Sequence, residues 1–387
     1  MPAIRRSRDL RLTNAAEVVR VVRDSGRRSR AELAKHTTLS HQALATILTE
    51  LVDEGVLLEI EERGAQRGPG RPALLYEYNP HRERVVSLFI GLRYAEISLC
   101  DGFGRPMDQN IEFYPGWDVD EIVAQSGAHI DQLLDKHNVN PRTCVLGIVV
   151  HGYVDAEAGT VTNANMGWSN AAIASKFHQR TKLAVTIHEA ARVAAKAEYQ
   201  EGAAQGVKRA TVLSLGPEYI ATTLVNGEPD VGADGQAGMI GLCKIDDGPD
   251  ALTISEMVGS FASKRRYTEL SGVHVDWMAD VYDHLRAGDP HAQRVIEIQN
   301  RAVAFASAWL ITILNPQVFV VGHALVADER NQAALLAQII DNLDPTVAKS
   351  CSIRMSLLGP RAWTRGGVHA ALEHHRSYEL KPASVAK

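Results

Sequence analysis

Ser40-His41-Gln42-Ala43-Leu44-Ala45-Thr46-Ile47-Leu48-Thr49-Glu50-Leu51-Val52-Asp53-Glu54-Gly55 is the stretch whose periodicity decides how the first part of this chain folds. Ser40 is a good helix N-cap, and Ala43, Leu44, Ile47, Leu48, Leu51 and Val52 recur at intervals of three and four. Gly55 ends the run, so the spacing predicts one helix with a single buried stripe. Its first turn then presents Ser40, His41, Gln42, Ala43 and Thr46 outward, where a helix lying in the major groove carries its base contacts. Upstream, Ser29 caps a shorter helix through Ala31, Leu33 and Ala34. Further back, Asn14 reads as the N-cap of a helix with Ala15, Val18, Val19 and Val22 on one face, stopped by Ser25-Gly26. Downstream, Val56–Ile60 and Leu74–Tyr78 are strand-like, and the loop between them holds Arg63, Arg67, Gly70 and Arg71. Glycine lets a loop approach a narrow groove, and arginine is drawn by the negative potential there. Three helices and a two-stranded wing make a winged helix-turn-helix over residues 1–80, whose expected partner is double-stranded DNA.

The composition fits a regulator with a separate basic module. The 387 residues suggest two or three domains, and 45% hydrophobic content is ample for a core. The formal net charge is −5 but uneven: residues 1–80 carry 13 Lys or Arg against 11 Asp or Glu, leaving 28 against 35 for the rest. The acidic bulk is no nucleic-acid surface, so DNA contact belongs to the N-terminal module. Cys100, Cys144, Cys243 and Cys351 are scattered singly, which argues against a zinc site or a disulfide framework and reads as buried thiols. No apolar run is long enough to span a bilayer and the arginine-rich start is followed by no apolar core, so the expected location is the cytoplasm, with no membrane partner.

Past a short linker at Asn79–Arg84 the patterns alternate. Val85–Gly91, Glu96–Cys100 and Asp108–Tyr114 read as a meander, Val119–His137 as an amphipathic helix, Val145–Val150 as a buried strand, and Val185–His188 as a strand leading into a helix over Glu189–Gln200. A second cycle comes next: strands at Thr211–Leu215 and Ile220–Val225, long helices over Leu252–Leu270 and His291–Leu314, the strand Val318–Val321, a helix over Glu329–Leu343, and a last strand-helix pair. Two such halves predict an α/β fold with a cleft between two lobes over residues 81–387.

Five motifs in this order resemble those of one family. Gly70-Arg71-Pro72-Ala73 with Tyr78-Asn79-Pro80 is similar to a Gly-Arg-Pro-Ala and Asn-Pro pattern, and Gly147 to Asp155 to a Gly-x-x-x-x-Gly-x-Val-Asp pattern. Gly159-Thr160-Val161 and Asn165-Met166-Gly167-Trp168 resemble its sugar loop, and Leu314-Asn315-Pro316 its entry into a late strand. The family is ROK, the group of bacterial sugar kinases and sugar-responsive repressors, those for xylose and N-acetylglucosamine among them. The resemblance covers nearly the whole chain. It implies an actin-like, ribonuclease-H-like ATPase fold of two lobes, assembled as a homodimer or homotetramer on a palindromic operator.

The departures matter as much. The family's first phosphate loop falls on Phe89-Ile90-Gly91-Leu92-Arg93, which has lost the Asp, one Gly and the Thr. The second becomes Leu215-Gly216-Pro217-Glu218-Tyr219-Ile220, where a proline and a carboxylate take the place of glycines that cradle phosphate. The proton-abstracting Asp of the kinases falls on Ala190. Glu189 beside it is turned by about 100° around the helix and is no substitute. The zinc ligands are replaced by Leu242 and by a cysteine-free stretch at Asp247–Thr253, and Cys243 reads as a core thiol. The expectation is therefore no catalytic residue, metal or cofactor. Asn165, His188, Glu189 and Glu256 are the candidate effector contacts, in a pocket altered by Met239 and Leu242. His188, Arg192 and Arg93 hint at an anion. The function implied is a transcriptional repressor of a carbohydrate or related catabolic operon; the alternatives are an effector-independent or protein-sensing regulator and, disfavoured by Ala190, a sugar kinase.

Overall fold

The computed structural model describes residues 2–61, 74–114, 116, 118–244, 248, 251–323 and 329–379. The wing residues Arg63, Arg67, Gly70 and Arg71 lie outside them.

At the N-terminus, α1 (Pro2–Ser25), β1 (Arg28–Ser29), α2 (Arg30–His36) and α3 (His41–Asp53) precede β2 (Leu57–Glu61) and β3 (Leu74–Tyr78). The three strands pair in the order β1-β3-β2. Val18, Val22, Leu33, Leu44, Ile47, Leu48, Leu51, Leu57, Tyr76 and Tyr78 form one buried core. The helix starting at Asn14 is corrected: α1 runs straight through that residue. The preceding turns are rich in Arg, Leu and Ala, good helix formers, and an asparagine inside a helix costs only about 0.7 kcal/mol. Arg11 Nε meets Glu50 Oε2 at 3.0 Å and ties the extension to α3.

Tyr78 joins this module to the first lobe, its ring meeting Phe103 edge-on at 5.1 Å. That lobe is built from β4 (Arg84–Ile90), β5 (Tyr94–Asp101), β6 (Pro106–Phe113), α4 (Val119–Lys136), β7 (Cys144–Val150), β8 (Tyr153–Asp155), β9 (Thr160–Asn163), β10 (Trp168–Ala171), α5 (Ile173–Thr181), β11 (Ala184–Glu189) and α6 (Ala190–Glu201). The second half holds β12 (Arg209–Leu215), β13 (Tyr219–Val225), β14 (Glu228–Pro229), α7 (Ile254–Val258), α8 (Ser260–Ser271), α9 (Met278–Arg286), α10 (Pro290–Leu314), β15 (Val318–His323), α11 (Glu329–Asp341), α12 (Pro345–Ser350), β16 (Ser352–Met355) and α13 (Arg361–Glu379).

Two five-stranded sheets result, β11-β7-β4-β5-β6 and β14-β13-β12-β15-β16. Each is an antiparallel meander extended by two parallel strands: β4 and β12 start the meanders, and β7 then β11, or β15 then β16, continue them. The repeated topology is that of an actin-like, two-lobed fold. Strands buried on both faces read as continuous apolar runs, as in Cys144–Val150.

Two further expectations are corrected. The helix over Leu252–Leu270 is broken into α7 and α8 at Gly259, where a Cβ would lie 2.5 Å from the Ser255 carbonyl oxygen and 2.9 Å from that of Pro217. The chain passes too close to the β12–β13 turn for a continuous helix. Cys243 is exposed rather than buried, because it comes after a single helical turn whose Leu242 is 66% exposed. Among the described residues no helix is long and apolar enough to cross a membrane.

Candidate functional site

Helix α3 presents one face to solvent. Ser40 Oγ accepts from the Ala43 N–H at 3.3 Å and opens the helix. Ser40, His41, Gln42 and Thr46 are exposed and Ala43 is half-buried, while Leu44, Ile47, Leu48 and Leu51 face the module core. Thr49 extends the exposed face by another turn. It is not among the candidates drawn from sequence, although its spacing from Gln42 and Thr46 is the signal for it.

The cleft-facing start of α6 holds the second candidate group. Glu189 is buried and caps α6: Oε1 accepts from the Ala191 N–H at 2.8 Å and Oε2 from the Arg192 N–H at 3.0 Å. Burial pushes its carboxyl up to about 7, against the pull of those two N–H groups and of the Arg192 charge, with nearby Glu218 pushing it further. His188 is pushed down to about 4 by burial and meets Thr186 Oγ1 through Nε2 at 2.9 Å. Both line a cavity of about 440 Å³ with Arg192, Lys196, Glu373 and His374. That volume lies within the roughly 300–1,000 Å³ of small-molecule pockets. Lys196 Nζ is already held by Glu373 Oε2 at 2.8 Å, and Arg192 donates to the Gly235 carbonyl.

Asn165 and Glu256 do not line this cavity. Asn165 is exposed on a single helical turn organised by Asn163, whose Oδ1 accepts from the Asn165 N–H at 2.9 Å and whose Nδ2 donates to the His151 carbonyl at 2.8 Å. Glu256 is exposed and caps α7, its Oε2 accepting from the Thr253 N–H at 2.9 Å and from Thr253 Oγ1 at 2.8 Å. These bonds hold its carboxyl below the usual range.

The two phosphate-loop stretches meet elsewhere, at an aromatic cluster. Phe89 stacks on Trp363 at 5.2 Å, His151 meets both rings edge-on at 5.5 Å, and Tyr94 meets Trp277 at 6.1 Å. His151 is buried, and burial pushes it down to about 4. Arg93, grouped with Arg192 and His188 on sequence, lies here and not at the Glu189 cavity.

The pattern shared by ROK proteins, described as the ROK family, matches residues 118–372. The chain belongs to the ROK family. The xylose repressor of Caldicellulosiruptor bescii is 24% identical to it over 335 residues, 81% of this chain and 84% of the relative. The glucokinase of Halalkalibacterium halodurans is 25% identical over 276 residues, 65% of this chain and 83% of the relative. Among solved structures, a ROK family transcriptional regulator, a homologue of the Escherichia coli MLC protein, superposes with a TM-score of 0.78 at 21% identity and covers 96% of this chain and 99% of that one. The likeness in fold thus covers nearly the whole chain.

Within this ROK domain, Ala190 is buried at the first position of α6 and carries no polar side-chain atom. Glu218, on sequence no more than an obstacle to phosphate, has a further place in the structure. Its carboxyl lines a small cavity with Met239 and Ser255, is pushed up by burial, and receives no hydrogen bond from the described residues. The only sequence signal for it is a carboxylate in a glycine loop.

Proposed function

We propose that this ROK protein is a DNA-binding transcriptional regulator, a repressor of a carbohydrate or related catabolic operon, whose two-lobed portion senses a small effector without catalysing a reaction. Residues 1–80 form the DNA-binding domain, and residues 81–387 the sensing and oligomerisation domain. The observation that carries this reading is α3, a helix capped at Ser40 whose first turn leaves His41, Gln42 and Thr46 in solvent. Gln42 and Thr46 suit base edges, and Arg67, Gly70 and Arg71 are the wing residues assigned to the adjacent groove. The effector contacts are His188 and Glu189 in the cavity wall, with Asn165 and Glu256 as further contacts from exposed positions.

Binding to fragments of the flanking genomic DNA, followed by fluorescence anisotropy, tests the reading. Gln42→Ala is expected to weaken the preferred site by about tenfold or more relative to random DNA, and Arg71→Ala to weaken both and flatten the salt dependence. Unchanged binding by the double variant would remove the assignment.

The similarity to glucokinases favours a second reading, a sugar kinase. Ala190 stands against it. A coupled ATP assay with glucose is expected to show no turnover above a blank without sugar, and sustained turnover would restore the kinase.

A further inference from the structure

The two stretches that correspond to kinase phosphate loops converge on a cavity unlike either loop's ancestral purpose. Gly91, Leu92 and Arg93 from one lobe and Pro217, Phe261, Lys264 and Trp277 from the other enclose about 170 Å³, together with Tyr94 and Trp363. That is below the roughly 300–1,000 Å³ of pockets for drug-sized ligands and suits a single small ring. Tyr94 closes over Gly91 so nearly that a Cβ there would lie 2.8 Å from its ring. Pro217 has no N–H to offer an anion.

Arg93 and Lys264 bring two cations to the cavity, with the carboxylates of Asp276 and Asp280 nearby. Arg93 Nη1 pairs with Asp276 Oδ1 at 2.8 Å, and His274 Nε2 lies 3.6 Å from the same oxygen. Lys264 Nζ donates to the backbone carbonyl of Asp276 at 2.7 Å and lies 5.3 Å above the centre of the Phe261 ring. No described carboxylate pairs with it. The remaining acid, Asp280, accepts from the Trp277 N–H at 2.8 Å. Burial, and then the charge of Arg93, push the Lys264 ammonium down, while Asp276 and Asp280 pull it back up; what it lacks is an ion pair at contact distance among the described residues. Aromatic walls favour a flat ring, and the loss of the glycine amides disfavours phosphate.

We propose that this cavity binds a small aromatic monocarboxylate of benzoate size, its carboxylate on Lys264 and Arg93 and its ring against Tyr94, Trp277 and Trp363. The site is separate from the Glu189 cavity and spans both lobes, so an occupant would hold them in one relation.

The test is titration of the full chain with benzoate, benzamide, inorganic phosphate and ATP, read by calorimetry and by tryptophan fluorescence. Benzoate is expected to bind saturably and change the fluorescence, with benzamide, its neutral isostere, about tenfold weaker or more. Lys264→Met should lose a similar factor for benzoate while Lys264→Arg keeps most of the affinity. Equal affinity for benzoate and benzamide, absence of saturable benzoate binding, a Lys264→Met protein that binds benzoate normally, or tighter binding of phosphate or ATP would each overturn the proposal. The contrast between benzoate and benzamide needs no variant. None of these readouts involves DNA, so their failure is distinct from failure of the regulator reading.

Discussion

Glu189 holds two constraints at one residue: its side chain is buried, and its carboxylate caps α6. Burial raises its folded value to about 7 from 4.5 in an unperturbed chain. A carboxyl raised in this way makes the native state bind more protons than the unfolded state. Its stabilising contribution is full below about pH 4.5 and is lost as pH rises through about 7. Relative to Glu189→Gln, which keeps an oxygen for the cap, the natural protein should lose roughly 3 kcal/mol of stability between those limits. His151 and His188, pushed down to about 4, act in the opposite direction, losing stability as pH falls below 6.5, but they are present in both proteins and largely cancel. Urea denaturation of the two proteins at about pH 5 and about pH 8 measures the difference. A difference independent of pH would mean that Glu189 is ionised throughout.

At the scale of elements, α3 separates helix stability from recognition. Ser40 Oγ accepts from the Ala43 N–H, so Ser40→Ala should cost about 1 kcal/mol in chemical denaturation, whereas Ser40→Gly should cost only a few tenths. Equal losses from the two changes would show that the cap does not hold α3. The three-and-four spacing of Leu44, Ile47, Leu48 and Leu51 makes this helix legible, because the period that defines an amphipathic helix is written in the residues themselves. The start of α1 and the break at Gly259 are not legible in the same way. Asn14 is compatible with a cap or a helix interior, and the bonds of the neighbouring turns decide between them. Gly259 breaks α7 from α8 because the carbonyl of Pro217, 42 positions earlier in the sequence, lies against it.

For the whole molecule, the arrangement of α10 bears on assembly. Its inner face, including Val295, Ile296, Val303 and Ile311, is buried in the second lobe. Its outer face presents Phe305, Trp309 and Ile313 at intervals of four, with Trp309 58% and Ile313 74% exposed. A regulator reading a palindromic operator needs a two-fold partner, and a self-complementary apolar stripe fits such an interface. Light scattering at DNA-binding concentrations should give at least a dimer. Trp309→Lys should shift the equilibrium toward monomer, and a monomer mass for the natural protein would remove the expectation.

From the residues alone came the three-helix module, the two meander-and-helix halves and the family resemblance, which puts Ala190 at the place of the kinases' catalytic carboxylate. Periodicity, capping and ordered motifs are local properties, and one chain carries them in full. The grouping of polar residues around the cleft was decided only in three dimensions. Asn165 and Glu256 are exposed, and the Glu256 carboxylate caps its own helix, while Arg93 stands apart from Arg192 and His188. The aromatic cavity at Lys264 was equally hidden, since Gly91, Pro217, Lys264, Trp277 and Trp363 are far apart in sequence and share no period. They meet because the β4–β5 and β12–β13 turns come to one cavity and α13 packs against the first sheet, bringing Trp363 against Phe89; contact across such separations is a property of the packed chain and of no segment within it.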